Sequence, residues 1–271
     1  MKFCKYFVKK GMKKNMERNT EKTKKKYFVV SDIHGYYNEL VEALKEKGFD
    51  KDNPEHELIV CGDVFDRGTQ TIKVYDFLNS LERVHLISGN HELMLQNTLN
   101  RGFISRYDIV NGTAYTIDDF LCCEVEKAEK GGESKRKALY WKKVGKRIDD
   151  FHKKFVNYFE TENYIFVHAW IPIIESLDTI KYDENWRNAE QEKWDKAKWI
   201  NPFVASSFGL NKTGKTIVFG HVRCDRRREI TVSKDFSPYF EDKNGEKFIA
   251  IDASVYMSGK INCLIIEDRE V

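Results

Sequence analysis

Five short strings collect the residue types that hold metals and phosphates: Asp32-Ile33-His34-Gly35, Gly62-Asp63-Val64-Phe65-Asp66-Arg67-Gly68, Gly89-Asn90-His91-Glu92, Val167-His168 and Gly220-His221. Hard carboxylate oxygens mixed with imidazoles and one amide, without cysteine, suit manganese, iron, magnesium or zinc in an open, water-bearing site rather than a closed structural zinc. Asp32, His34, Asp63, Asn90, His168 and His221 are enough ligands for two divalent ions. The economical arrangement has Asp63 bridge them, with Asp32 and His34 completing one ion and Asn90, His168 and His221 the other. Two ions about 3.5–4 Å apart acidify a shared water and clamp the oxygens of an in-line phosphoryl displacement. The departing alkoxide still needs a proton. His91 can donate it as imidazolium, with Asp66 orienting the ring, while the planar fork of Arg67 matches two phosphate oxygens.

Each residue has a plainer explanation when taken alone. Asp and Gly are common turn residues, and a single histidine is more often a core or surface residue than a ligand. What favours chemistry is where the strings fall. Lys26–Ser31, Glu57–Cys61, Arg83–Ser88, Asn163–Val167 and Thr216–Phe219 are short runs rich in branched or aromatic residues, the pattern of buried strands, and each delivers one string. Asp32 and His34, two apart in extended chain, leave their strand on one side. Tyr37–Lys47, stopped by Gly48, and Ile72–Leu81 have helical spacing. Strand and helix therefore alternate, as in parallel βαβ units, whose strand ends gather chemistry. From about residue 93 to 160 charged, aromatic and helix-forming residues dominate, implying a helical insertion, with Asn111-Gly112-Thr113 as a tight turn. A tryptophan-rich loop segment follows, running to about Phe203. Later runs at Glu229–Ser233, Lys247–Ala253 and Lys260–Glu267 imply a second, mostly antiparallel sheet.

A chain of 271 residues can bury one substantial core. Its 46 basic and 43 acidic residues leave a net charge of +3, which points neither to nucleic acid nor to an acidic substrate. Residues 1–26 form a lysine-rich arm, expected to be poorly ordered, and residues 27–271 the catalytic domain. No segment is long and apolar enough for a membrane span, and the six cysteines form no regular framework. Reduced thiols and a cytoplasmic location are expected.

Taken in order, the five strings resemble the calcineurin-like metallophosphoesterases, and within them the phosphoprotein phosphatase branch, whose relatives include the symmetrical diadenosine tetraphosphatases. The resemblance spans residues 32 to 221. It implies an α/β fold, a four-layer α/β/β/α sandwich of two mixed sheets, and hydrolysis without a covalent enzyme intermediate. The implied cofactors are two divalent metal ions, manganese ahead of iron, zinc or magnesium. The implied substrate is a phosphorylated protein, at phosphoserine or phosphothreonine, or a small phosphoester such as a dinucleoside polyphosphate, with no membrane partner. The roles given above coincide with the family's, and Asn90 also touches the substrate phosphate. The family adds a second phosphate-binding arginine, for which Arg187 beside Trp186 is the candidate. Where the family has glycine soon after the fourth-string histidine this chain has Ala169-Trp170, so the Trp170 ring is expected to narrow the pocket or lean over the ligands.

Three other signals carry less weight. Gly209–Thr216 fits the Walker A expression, but it runs into an apolar strand-like stretch where a phosphate loop needs a helix. The arginines at 223, 226, 227 and 228 read as a solvated hairpin more readily than as a substrate rim. The tryptophans between 170 and 199 read as packing against the sheet more readily than as nucleobase platforms.

Overall fold

The computed structural model describes residues 24–131, 137–176, 178–226 and 235–271. The first sheet is built from β1 (Lys25–Val30), β2 (His56–Cys61), β3 (Val84–Ile87), β4 (Phe155–Val156) and, at the chain's end, β12 (Leu264–Asp268). Its order is β12-β1-β2-β3-β4, all parallel except β12. Between these strands run α1 (Tyr37–Glu46), α2 (Thr71–Ser80), α3 (Asn90–Arg101), α4 (Arg106–Asn111), α5 (Thr113–Gly131) and α6 (Lys137–His152). The second sheet takes β5 (Phe159–Glu160), β6 (Tyr164–Phe166), β9 (Thr216–Phe219), β10 (Tyr239–Lys243) and β11 (Glu246–Ala250), in the order β10-β11-β9-β6-β5. A small hairpin of β7 (Ile173–Glu175) and β8 (Ile180–Tyr182), then α7 (Gln191–Ala197) and α8 (Pro202–Ser207), lie between β6 and β9, and α9 (Val255–Ser258) follows β11.

Alternation along the strands sorts the side chains into layers. Phe28, Val30, Leu58 and Val60 face a core shared with α1, α2, α5 and α6. Tyr27, Val29, Ile59 and Cys61 face the other way and meet Phe166 and Val218 of the second sheet and Ile251 just past β11. Ile165, Ile217, Phe219 and Phe248 turn outward to Trp170, Trp186 and Trp194. Because both faces of each sheet are covered, the central runs are almost wholly apolar, which is why they were readable in the sequence. The result is the four-layer sandwich with two mixed sheets.

Several elements differ from the sequence expectation. The second sheet is mixed rather than mostly antiparallel, since β9 runs parallel to both β6 and β11. The final strand joins the first sheet beside β1. The helices of the insertion start within the Gly89–Glu92 string and stop at His152, where Phe155 and Phe159 pair into the two sheets. Lys25 and Lys26, placed in the arm, open β1, and the rest of the arm up to residue 23, like the strand expected at 229–233 and Arg227 and Arg228, lies outside the described residues. The Walker-like stretch leads into β9, and three of the tryptophans pack in the outer core. Trp170 is buried edge-on to Phe219 instead of leaning over the site. Cys61, Cys224 and Cys263 are buried and in no disulfide. Among the described residues no helix is long and apolar enough to cross a membrane.

One buried charge outside the site gives a pH signature. Glu57 on β2 accepts from His85 at 2.7 Å and from Lys25. The His85 hydrogen bond, outweighing burial, lowers its carboxyl from 4.5 to about 2. A carboxyl depressed on folding stabilises above its unfolded value and loses that contribution as pH falls through the folded one, here from 4.5 toward 2. Glu57→Gln is therefore expected to cost about 2–3 kcal/mol at pH 6 in urea titrations, with the gap to wild type closing near pH 2.

Candidate metal centre and active site

The five strings converge where β1, β2, β3, β6 and β9 end. Two overlapping donor groups form there, His34, Asp63 and His91 in one and Asp63, His168 and His221 in the other, each with ligand atoms within 4.8 Å of one another. Asp63 alone belongs to both. All but the half-buried His221 are buried.

The backbone is bent to make this possible. Asp32, His34, Asp63, Asp66, Arg67 and His221 have φ between 50° and 73°, in the left-handed region that costs non-glycine residues energy. Asp32 and His34 therefore do not leave β1 as an extended pair on one side. His34 turns to Asp63, whereas the Asp32 carboxylate accepts the His221 amide at 3.0 Å and falls outside both donor groups. Glycines supply clearance at the closest approaches: a Cβ on Gly89 would sit 2.2 Å from Asp63 Oδ1, and one on Gly220 would sit 2.0 Å from Asp32 Oδ2.

Hydrogen bonds fix the imidazole tautomers. His168 Nδ1 lies 2.9 Å from the Cys61 carbonyl, and His34 Nδ1 lies 2.9 Å from the Phe65 carbonyl. Each of these nitrogens must donate, which leaves Nε2 as a lone pair turned into the site. His168 Nε2 then faces Asn90 Oδ1 at 2.8 Å, His221 Nδ1 at 3.2 Å and Asp63 Oδ1 at 3.4 Å. His34 Nε2 faces Arg67 at 2.6 Å and Asp63 Oδ2 at 3.7 Å. Acceptors converging on acceptors call for a cation between them, and at His34 the guanidinium already plays that part. Burial lowers the pKa of His34 and His168 and brings His221 to about 3, so these rings are neutral at pH 7. The residues present fit divalent ions.

His91 is arranged differently. Its Nδ1 is 2.7 Å from Asp66 Oδ2, and Asp66 is itself held by the hydroxyls of Thr113 and Thr116 at 2.8 and 2.7 Å. Burial lowers the His91 pKa, but the Asp63 charge and the Asp66 hydrogen bond outweigh it and leave the net shift upward. A ring whose pKa is raised beside rings whose pKa is lowered is suited to giving a proton. Arg67 spans the two types, with Nη1 on His34, Nη2 3.0 Å from His91 Nε2 and its guanidinium over Tyr256 at 5.4 Å.

Arg187 is not brought to this cluster. Its fork is taken by Glu160 at 2.6 and 2.8 Å, and Glu160 also holds Lys215, at the end where β9 begins. His221 of the donor cluster lies six residues further on, past the other end of that strand, roughly 20 Å away in extended chain.

The residue that sequence reasoning passed over is Glu92. Its carboxylate accepts the amides of Gly89, Asp63 and Val64 at 2.7, 2.9 and 2.8 Å, tying the second string to the third. Burial and the Asp63 charge push its pKa up to about 7. Its signal was present as an acid three residues after a helix-opening glycine. Glu92→Gln sets an NH₂ against at least one of those amides, so a loss of about 2–4 kcal/mol is expected in urea unfolding.

A two-sheet sandwich with paired His and Asp donors, a His–Asp couple and an arginine at one edge is an arrangement suited to metal-assisted phosphoester chemistry. The model of the calcineurin-like phosphoesterase family matches residues 25–255, and the chain belongs to that family. It is 32% identical over 105 residues to the asymmetrical bis(5'-nucleosyl)-tetraphosphatase PrpE of a Geobacillus strain, a match covering 35% of this chain and 41% of that one. Over 69 residues it is 42% identical to a symmetrical bis(5'-nucleosyl)-tetraphosphatase of Buchnera aphidicola, covering 25% and 24% of the two. The chain thus spans well under two thirds of these curated relatives. A zinc-dependent endopolyphosphatase of Saccharomyces cerevisiae is 24% identical over 221 residues, 73% of this chain and 67% of that one. The cold-active protein-tyrosine phosphatase of a Shewanella species shares the fold, with a TM-score of 0.53 at 18% identity over 90% of this chain and 75% of that one.

Proposed function

We propose that the chain hydrolyses the phosphoanhydride bonds of nucleoside polyphosphates with water, and that two divalent ions, manganese foremost, are its cofactors. The observation that carries this is Asp63, shared by two groups of imidazole and carboxylate donors. Asp32, His34 and Asp63 would hold one ion, and Asp63, Asn90, His168 and His221 the other. Such ions, when bound, supply Lewis acidity toward water and phosphoryl oxygens. The chain's own residues do the rest. Arg67 presents two parallel N–H groups to the phosphate. His91 Nε2, which faces Arg67 Nη2 at 3.0 Å, would carry a proton for the departing oxygen once Arg67 has turned to the phosphate, and Asp66 keeps the ring oriented.

The tetraphosphatase names of the Geobacillus and Buchnera relatives support nucleotide substrates. A second reading, hydrolysis of phosphoserine or phosphothreonine in proteins, is favoured by the His91–Asp66 couple, because an alkoxide needs an acid more than a phosphate leaving group does. A cytoplasmic location goes with either. Manganese-stimulated cleavage of diadenosine tetraphosphate to mononucleotides, beside phosphate release from phosphopeptides and p-nitrophenyl phosphate, tests them. At least a tenfold preference in kcat/KM for the dinucleotide is expected. The reverse preference would favour the second reading, and inactivity on all three with manganese, iron, zinc and magnesium would end both.

A further inference from the structure

Arg67 is exposed, and among the described residues no carboxylate pairs with it. Arg187 and Arg223, by contrast, are held by Glu160 and Asp225 at 2.6 and 3.0 Å. The Arg67 backbone is fixed: its φ is 70°, and a Cβ on Gly112 would sit 2.4 Å from its amide nitrogen. The side chain is held less firmly. Its N–H groups face His34 and His91, and both contacts are given up when the fork turns to a phosphate. What remains is Tyr256, whose ring lies beneath the guanidinium, 5.4 Å from Cζ to the ring centre. A ring attracts a cation without neutralising it, whereas a carboxylate would compete with the phosphate.

The backbone around α9 is built to place that ring. Ser254, just before the helix, has φ 52° and ψ 64°, left-handed for a residue with a Cβ. Its hydroxyl is buried and has no hydrogen-bond partner among the described residues, so the bend does not serve the side chain. It serves the helix. The Ser254 amide donates to Asp252 Oδ1 at 2.6 Å, and its carbonyl accepts the amides of Met257 and Ser258 at 2.8 and 3.0 Å, which opens α9. The Asp252 carbonyl accepts the Cys224 amide at 2.9 Å and so ties the bend to the loop that carries His221. Val255 is buried in the first core, whereas Tyr256 is 51% exposed. The ring adds little to the core, and the effect of the bend is to set it against Arg67.

We propose that Tyr256 is a positioning residue whose ring holds the Arg67 guanidinium with its fork turned to the substrate phosphate, an assignment that rests on the phosphoesterase reading above. Inorganic phosphate is the probe, titrated calorimetrically into the manganese-loaded full chain, where nothing is turned over. Tyr256→Leu should weaken phosphate binding about three- to tenfold, the range expected for a cation held over a ring. Tyr256→Phe keeps the ring and loses only the hydroxyl, and it should bind within about twofold of wild type. In a chain already carrying Arg67→Met, Tyr256→Leu should have no further effect, because it acts through the guanidinium. Melting curves check that each variant folds. No phosphate binding up to about 10 mM, unchanged binding in Tyr256→Leu, equal losses in Tyr256→Leu and Tyr256→Phe, or the same loss with and without the Arg67 guanidinium would overturn the assignment. Any of these in a chain that still hydrolyses diadenosine tetraphosphate or phosphopeptides leaves the phosphoesterase reading standing. The expected pattern in a chain that hydrolyses neither would support the positioning role and remove the reading.

Discussion

Asp63→Asn is expected to lower kcat/KM at least about a thousandfold and to leave no more than about one manganese ion per chain after chelation and reloading. The carboxylate sits between two pairs of rings. Oδ1 is 3.4 Å from His168 Nε2 and accepts the His91 amide at 3.1 Å, while Oδ2 is 3.7 Å from His34 Nε2 and 3.9 Å from His91 Nε2. Burial works against its charge, but His168, His91 and His34 outweigh that and hold the carboxyl below its ordinary value. Asparagine keeps the volume and one carbonyl oxygen, so the cap on the first turn of α3 can survive. Its NH₂, however, turns a donor toward imidazole lone pairs and cannot bridge two cations. The fold should therefore persist in circular dichroism while metal content and turnover fall together. A variant that still holds two ions at wild-type affinity would take Asp63 out of the bridging role. Loss of activity with both ions retained would move its importance from binding to electrostatics.

How far the sequence could be read depended on the length scale of the cause. Runs such as Leu58–Cys61 and Thr216–Phe219 are apolar because both faces of their strand are covered, and that is local information. The donors were legible for the same reason, since each sits just past such a run. The partner sheet of a strand is a long-range fact: β12 beside β1 depends on residues more than 230 positions apart, and nothing within Lys260–Glu267 states it. The rotation of Asp32 toward His221 likewise follows from a left-handed bend that Asp and His tolerate without announcing it. Nearness to a tryptophan singles out Arg187, yet its fork has an acidic neighbour on β5 that only folding reveals. The supports of Asp66, Thr113 and Thr116, come from a helix about fifty residues downstream. Single threonines in a helical pattern carry no such signal.

His91→Asn should separate proton donation from metal binding. His91 Nδ1 is engaged by Asp66 and its backbone amide by Asp63, so on the proposed reading the ring would contribute a proton while the main chain helps place the Asp63 carboxylate. Asparagine retains the amide and loses the imidazolium. A fall in kcat of about 10²–10⁴ is expected on alkyl phosphates, with metal content unchanged. The fall should shrink on p-nitrophenyl phosphate, whose leaving oxygen departs without help. The pH profile supplies the sign. Because the His91 pKa is raised above 6.5, its protonated form persists near neutrality and is lost as pH climbs through the shifted value. Wild-type turnover of alkyl esters should therefore decline on the alkaline side, and the variant should lack that limb. Asp66→Asn should move the limb to lower pH, since an amide cannot stabilise the charged ring as a carboxylate does. An alkaline limb that survives in the His91 variant, or equal losses on good and poor leaving groups, would mean that the proton comes from elsewhere and that His91 acts only through the cation cluster it adjoins.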